Sequence, residues 1–290
     1  MKKLALFFCG IFFFAAFPLF AQNYALVLSG GGGKGSYEVG VWKALYEYGI
    51  AQKVTVVSGT SVGGLNAGLF AIAPLYRVED IWLNEVPLEL NQNGEVISQQ
   101  GLSNIMNRLS FFPLSELESP VVYVTCTHSW EDGVGSLLNL GVQAIKAATK
   151  SVIDYAYRFC LNDETDENEI RNKLLATSAF PGFTEPVRLS DGRLYSDGGA
   201  ADNTPVEPVI SHAPDIILVV HLSNWSPKLQ QGKWSCPVID IWPSEEMRWL
   251  GGTMDFSKEW IERNINLGYN DTVRWLNENG FYPVEDYWFH

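Results

Sequence analysis

Positive charge is in short supply in this sequence. Twenty Lys and Arg face 33 Asp and Glu, which gives a net charge of −13 over 290 residues. A general nucleic-acid binder needs a cationic footprint to neutralise phosphates, so that class is excluded. Anionic lipid would not attract the chain as a whole either. Membrane contact has to come from a local basic patch or from apolar side chains. Histidine and cysteine are scarce too, with four of each. His128, His212, His221 and His290 are scattered without ligand spacing, so no metal site is expected. Cys9 lies too early for a lipoprotein cleavage site. Cys126, Cys160 and Cys236 are odd in number and widely spaced, which is no disulfide framework, although one bridge among them stays open. There is no internal repeat, low-complexity tract or linker rich in Pro and Ser. With 47% apolar and 18% charged residues, one globular domain with a sizeable core is the simplest account.

One long apolar run exists, and it is N-terminal. Lys2 and Lys3 precede the apolar stretch Leu4 to Phe17, and Ala21 offers a small residue before Gln22. This is the pattern of a secretory signal peptide over residues 1–21. The run is short for a transmembrane span, which takes about 20 apolar residues. An uncleaved anchor helix is the alternative. The expectation is a domain over residues 22–290, secreted or periplasmic, with no span of its own.

What is abundant is glycine at one place. The apolar run Tyr24 to Leu28 reads as a buried strand. Ser29, the glycines Gly30 to Gly33, Lys34 and Gly35 follow, and Ser36 to Tyr48 has helical spacing ended by Gly49. Val54 to Val57 is a second strand, and it feeds Gly59-Thr60-Ser61-Val62-Gly63. Val62 to Ile72 is then a helix rich in small residues. A serine between a strand and a helix, with glycine two positions to either side, suits a nucleophile on a sharp, strained turn. The positive end of the next helix favours negative charge developing on a substrate oxygen.

The glycine loop admits three readings. A P-loop fails twice, because Leu28 stands where its first glycine belongs and Gly35 where Ser or Thr belongs. Gly30, Gly32 and Gly35 satisfy a dinucleotide fingerprint, but Ser58-Gly59 stands where the ribose-binding acid is wanted. An oxyanion hole made of backbone N–H groups is the reading that also uses the serine turn.

Further along, Pro74 to Pro120 carries a blurred signal. Ile105 to Leu109 is a candidate short helix, and Phe111-Phe112-Pro113 is an apolar knot assigned to the core, with an exposed lipid-facing tip as the alternative. Val121 to Thr127 is a strand and Glu131 to Gly135 a turn. Leu137 to Leu161 reads as a long amphipathic helix and Asn162 to Asn168 as an acidic loop, with residues 129–168 forming an insertion or cap. Asn172 to Ala179 is helical. Arg193 to Ser196 is a short strand delivering Asp197-Gly198-Gly199. Asp191-Gly192 is only a turn. Asp215 to Leu222 and Val238 to Ile241 are strands, and Ser257 to Asn279 is a terminal helix with a break expected near Gly268. Asn66 is assigned a structural role. Alternating strands and helices give a mostly parallel sheet with helices on both faces.

Three blocks, in order, resemble the patatin-like phospholipases. They are Gly30-Gly31-Gly32-Gly33-Lys34-Gly35, Gly59-Thr60-Ser61-Val62-Gly63 and Asp197-Gly198-Gly199. Ser178 to Gly182 and Asn203-Thr204-Pro205 resemble the family's flanking segments. The resemblance covers most of residues 24–210. It implies a three-layer α/β/α sandwich and a Ser61–Asp197 dyad that hydrolyses acyl esters of lipids at a membrane or micelle surface. It also implies an oxyanion hole from Gly31, Gly32 and Gly33, and no metal or other cofactor. Lys34 is either a solvated surface charge or a shaper of the glycine loop. Two rivals stay open: a Ser-His-Asp esterase using Asp197 with His212 or His221, and a secreted lipid-binding protein with an inactive site.

Overall fold

Tyr24–Leu28 forms β1, and all five residues are buried. A strand covered on both faces has to be apolar throughout, which is why this run does not alternate. The computed structural model describes residues 23–91, 97–112, 114, 120–129, 155–226, 229 and 234–284. The expected leader at 1–21 and the turn at 131–135 lie outside them.

The remaining strands are β2 (Val54–Thr60), β3 (Val121–His128), β4 (Ala156–Cys160), β5 (Val187–Arg188), β6 (Leu194–Asp197), β7 (Ile216–Val220) and β8 (Val238–Ile241). The centre, in the order β3-β2-β1-β7-β8, is parallel. The flank beyond it is antiparallel, because β3 pairs with β4 and β6, and β5 with β6. The sheet is therefore mixed, with a parallel centre.

Helices cover both faces. In β1, Tyr24, Leu26 and Leu28 point into one apolar cluster, while Ala25 and Val27 point into another. This is the two-residue alternation of a strand. On the first face lie α1 (Ser36–Glu47), α2 (Val62–Ile72), α3 (Leu75–Asp80), a π turn (Ile81–Glu85), α4 (Val86–Leu90), α5 (Gln99–Asn107) and α6 (Glu167–Thr177). The short α7 (Glu207–Ile210) sends Val209 to the second face. After β8 come α8 (Trp249–Thr253) and α9 (Lys258–Glu278), the latter on the first face.

Several expectations are corrected. Residues 156–160 are not the end of a helix but a strand, because β3 offers a free edge that completes their ladder. Tertiary pairing here overrides a helical pattern. The rest of that expected helix, up to residue 154, lies outside the described residues. Helix α6 starts five residues earlier than its apolar period suggests. The Asp166 side chain accepts the Asn168 N–H at 2.9 Å, and Glu167 and Glu169 occupy the first turn, so the acidic loop is in part an N-cap. Of the apolar knot, Phe111 is in the core at 2% exposure whereas Phe112 is 55% exposed. Pro113 is outside the described residues.

Helix α9 runs unbroken through Gly268, because that glycine is where α9 touches α1. A Cβ on Gly268 would lie 2.1 Å from the Tyr37 carbonyl oxygen, and one on Gly40 would lie 2.0 Å from that of Ile265. Both contacts are against backbone, which cannot swing aside. Gly268→Ala is therefore expected to lower stability by about 1–3 kcal/mol through overpacking, and Gly280→Ala, with open space around it but a positive φ, to cost less. Thermal melts of the two variants check the ranking.

Candidate active site

Strand β2 ends at Thr60, and Ser61 takes the turn into α2 with φ of 56° and ψ of −128°. A side chain at positive φ is strained and is held only by its surroundings. Those surroundings explain the flanking glycines. A Cβ on Gly59 would lie 2.2 Å from the Gly63 carbonyl oxygen, and one on Gly63 would lie 2.5 Å from that of Leu28. The turn is also pinned from the side. The Ser61 N–H donates to Thr177 Oγ1 at 3.0 Å, and that hydroxyl donates to the Thr125 carbonyl at 2.5 Å.

The register of β3 brings Asp197 to the same place. Thr125 pairs with Thr60 of β2, and Cys126 pairs with Asp197 of β6. Both Thr125 and Cys126 also pair with β4, which occupies the opposite edge. Strands β2 and β6 therefore meet end to end along one edge of β3, and Asp197 arrives beside the residue that precedes Ser61. The Asp197 N–H donates to the Ala179 carbonyl at 3.0 Å, which anchors the end of β6. A Cβ on Gly198 would lie 2.4 Å from the Thr125 carbonyl oxygen, so the chain leaving Asp197 also hugs β3.

The Asp197 carboxyl is buried. Its Oδ1 accepts the Gly199 N–H at 2.7 Å, and its Oδ2 has no hydrogen-bond partner among the described residues. Burial pushes its pKa up to about 6, with the Ser61 hydroxyl and the Gly199 amide pulling the other way.

The glycine loop lies against both. The Gly30 N–H donates to the Asn203 carbonyl, and Asn203 Nδ2 donates back to the Gly30 carbonyl, each at 3.2 Å. A Cβ on Gly30 would lie 2.5 Å from Asn203 Oδ1 and 3.1 Å from Ser61 Cβ, so a side chain there would push the loop off the serine. Gly32 has a φ of +57°, and a Cβ on it would lie 2.2 Å from the Thr253 carbonyl oxygen. Gly33 is buried against the Asp255 carbonyl, and a Cβ on Gly35 would lie 2.3 Å from Val62 Cγ2. Lys34 is only 6% exposed, which corrects the reading of it as a solvated surface charge. Burial lowers its pKa, partly offset by Glu246.

These groups line one end of a cavity of about 400 Å³. Gly30, Gly31, Gly32, Ser61, Asp197 and Asn203 form its polar end. Beyond them the wall is mostly apolar, with Leu65 and Leu69 of α2, Trp82, Val86, Ile105 and Phe111 among its residues. Gly33, Lys34, Gly35, Gly59, Gly63 and Gly198 do not line the cavity but shape the backbone that does. Asn66 is structural, as expected. Its Nδ2 donates to the Gly35 carbonyl and to Glu38, and its Oδ1 accepts the Trp82 indole N–H.

The two candidate histidines, His212 and His221, are elsewhere. His212 is exposed and bonds the Tyr123 hydroxyl at 3.0 Å. His221 is buried, with Nε2 2.8 Å from Asp240 Oδ1 and its ring stacked on Trp242. Neither lines the cavity. Cys126, Cys160 and Cys236 are free, so the open question of a bridge closes against one. Among the described residues no cluster of His, Cys, Asp and Glu is placed to hold a metal ion. Sequence reasoning missed Thr177 and Glu38. Thr177 carries no motif, while Glu38 was visible only as a charge in the first turn of an apolar helix.

A model of the patatin-like phospholipase family matches residues 26–210. Lysophospholipase NTE1 of Kluyveromyces lactis is 26% identical over 224 residues, 71% of this chain and 13% of that protein. Lysophospholipase nte1 of Aspergillus terreus is 26% identical over 234 residues, 78% of this chain and 13% of that one. The matched part is thus a small fraction of those relatives' own length. Among solved structures, VipD from Legionella pneumophila superposes with a TM-score of 0.52 at 15% identity, covering 89% of this chain and 67% of that one, which speaks to the fold.

The Asp197 environment predicts a trade of stability for charge. Its pKa is raised from an ordinary 3.8 to about 6. Stability linked to it is present below the ordinary value and lost as pH rises through the raised one. Asp197→Asn should therefore be more stable than wild type at pH 7.5, by up to about 3 kcal/mol, and the gap should close towards pH 4. Chemical denaturation at the two pH values measures it.

Proposed function

Because this chain belongs to the patatin-like phospholipase family, we propose that it is a lipid acyl hydrolase working through Ser61 and Asp197. One observation carries the reading. A strained serine and a buried carboxyl meet at the polar end of a mostly apolar cavity. The volume of that cavity is in the range of small-molecule sites, and its wall suits an alkyl chain. The substrate class is a fatty-acyl ester of a phospholipid or lysophospholipid, presented at a membrane or micelle surface. The names of the two fungal relatives support that class.

In the mechanism, Ser61 Oγ attacks the acyl carbonyl carbon while its proton passes to Asp197 Oδ2. The carbonyl oxygen takes the negative charge. Gly31 and Gly32, which border the cavity, supply N–H groups to that oxyanion, with the α2 N-terminus behind Ser61 adding its dipole. Gly33 does not border the cavity, which favours Gly31 and Gly32 over it. The tetrahedral intermediate expels the alcohol, which leaves with the proton from Asp197. An acyl-serine remains, and water attacks it with Asp197 again as base. A carboxylate of ordinary pKa is a weak base for a hydroxyl. Raising it by burial strengthens it while keeping it ionised at neutral pH. The helix with Leu65 and Leu69 on its cavity face begins directly after Ser61, so the acyl chain and the nucleophile are held by one rigid element.

Fatty-acid release from mixed phospholipid micelles tests the proposal. Ser61→Ala and Asp197→Asn, both folded, should each lose at least about a thousandfold in rate. Retention of wild-type activity by both would sink the dyad. Wild-type kcat/KM should fall about tenfold per pH unit below about 6, as Asp197 takes up a proton. An acid limb centred near pH 4 would show that another group acts as base.

A further inference from the structure

Glu38 is a buried acid that the mechanism above does not use. It sits in the first turn of α1 and is 0% exposed. Its Oε2 accepts Asn66 Nδ2 at 2.8 Å, and its Oε1 has no partner among the described residues. Asn66 Nδ2 also donates to the Gly35 carbonyl at 3.0 Å, and Asn66 Oδ1 accepts from Trp82 Nε1 at 2.9 Å. Asn66 and Trp82 both line the cavity, and Gly35 closes the glycine loop. Glu38 therefore holds an amide that ties the loop to α2 and to the cavity wall.

We propose that Glu38 is a positioning residue that works as a neutral acid, fixing the glycine loop over Ser61 through Asn66. The activity arm of this inference rests on the hydrolase reading. The groups that meet Glu38 are the Asn66 amide from α2 and the backbone of Ser29 at the end of β1. Lys34, the nearest cation in sequence, interacts with Glu246 instead. No charged side chain is recorded against Glu38 among the described residues, so nothing compensates an ionised form. The α1 N-terminus favours a negative charge, but by at most about 2 kcal/mol. Burying an unpaired ion costs more than that. Burial accordingly raises the Glu38 pKa well above the carboxylate range, against the smaller pull of Asn66 and Ser29. When Glu38 ionises as pH rises, only the Asn66 amide and the Ser29 backbone meet the buried charge, and no cation among the described residues offsets it. The cluster must then open to water, and the tie to Gly35 opens with it.

The test uses the full chain and a water-soluble short-chain ester from pH 5 to 10, so that lipid packing plays no part. Glu38→Gln copies the neutral acid and can still accept from Asn66. It should keep kcat within about twofold of wild type at pH 7 and stay active at alkaline pH, where wild type declines. Glu38→Ala should lose about tenfold in kcat with KM nearly unchanged, in line with one buried hydrogen bond of a charged or polar network. An alkaline decline shared by Glu38→Gln, or absent from wild type, overturns the proposal. So does an unchanged kcat in Glu38→Ala. Melting supplies an arm that does not need activity. A raised native pKa costs stability as pH climbs from the ordinary carboxylate value to the raised one. The melting temperature of Glu38→Gln should therefore gain on wild type by about 3 °C per pH unit between pH 5 and 7. A wild type that cleaves no ester defeats the hydrolase reading, and the melting arm then decides alone, since a constant gap overturns the neutral-acid assignment.

Discussion

Strand β3 is the template on which the site depends. It pairs in parallel with β2 along its first half and antiparallel with β6 along its last residues, both on the same edge. Two strands separated by more than a hundred residues of sequence thus finish head to head. The serine turn leaves from one and the Asp-Gly-Gly turn from the other. Backbone hydrogen bonds set this approach, so it does not rely on flexible side chains finding each other. Pairing with β4 on the opposite edge holds β3 itself in the sheet.

Around this junction, the chain tolerates unfavourable groups in a small volume. Ser61 is strained, the Asp197 carboxyl is buried, Glu38 is fully buried and Lys34 nearly so. Each is costly alone. They persist because the neighbouring packing is dense and largely backbone. The glycine contacts at positions 32, 33, 59 and 63 are all with carbonyl oxygens at 2.5 Å or less from an ideal Cβ. A loop built from backbone on backbone cannot relax away from a strained residue, which is what a preorganised site requires.

The cavity shows how composition and topology divide the work. An acidic chain still has a mostly apolar cavity, whose wall comes mainly from α2 and from the helical stretch between the π turn and α5. Residues 74–120 carry a blurred signal because the described part of that stretch is made of short helices and a π turn, none long enough to establish a clear period. Its apolar residues serve the cavity as well as the core, so they do not fall on one stripe.

Much of the fold and most of the site were legible in the sequence, for local reasons. Apolar runs of four to eight residues marked β1, β2, β3, β7 and β8, and glycine spacing marked the two loops, because those features answer to sterics within a few residues. The blocks at Gly30, Ser61 and Asp197 were visible as separate turns. Their meeting was available only through resemblance, since it depends on the register of β3. The strand at residues 156–160 was read as helix because its partner edge, residues 123–127, is remote in sequence. Thr177, Glu38 and the burial of Lys34 were hidden for the same reason. A threonine, a glutamate or a lysine has no local mark of being buried. The sequence by itself determined which turns could hold a nucleophile, a base and an oxyanion, through the backbone freedom of glycine and the placement of one serine and one aspartate. Only the tertiary structure decided that they face one another, that the carboxyls are starved of water and that the cavity beyond them is mostly apolar, because burial and strand register are properties of the whole sheet.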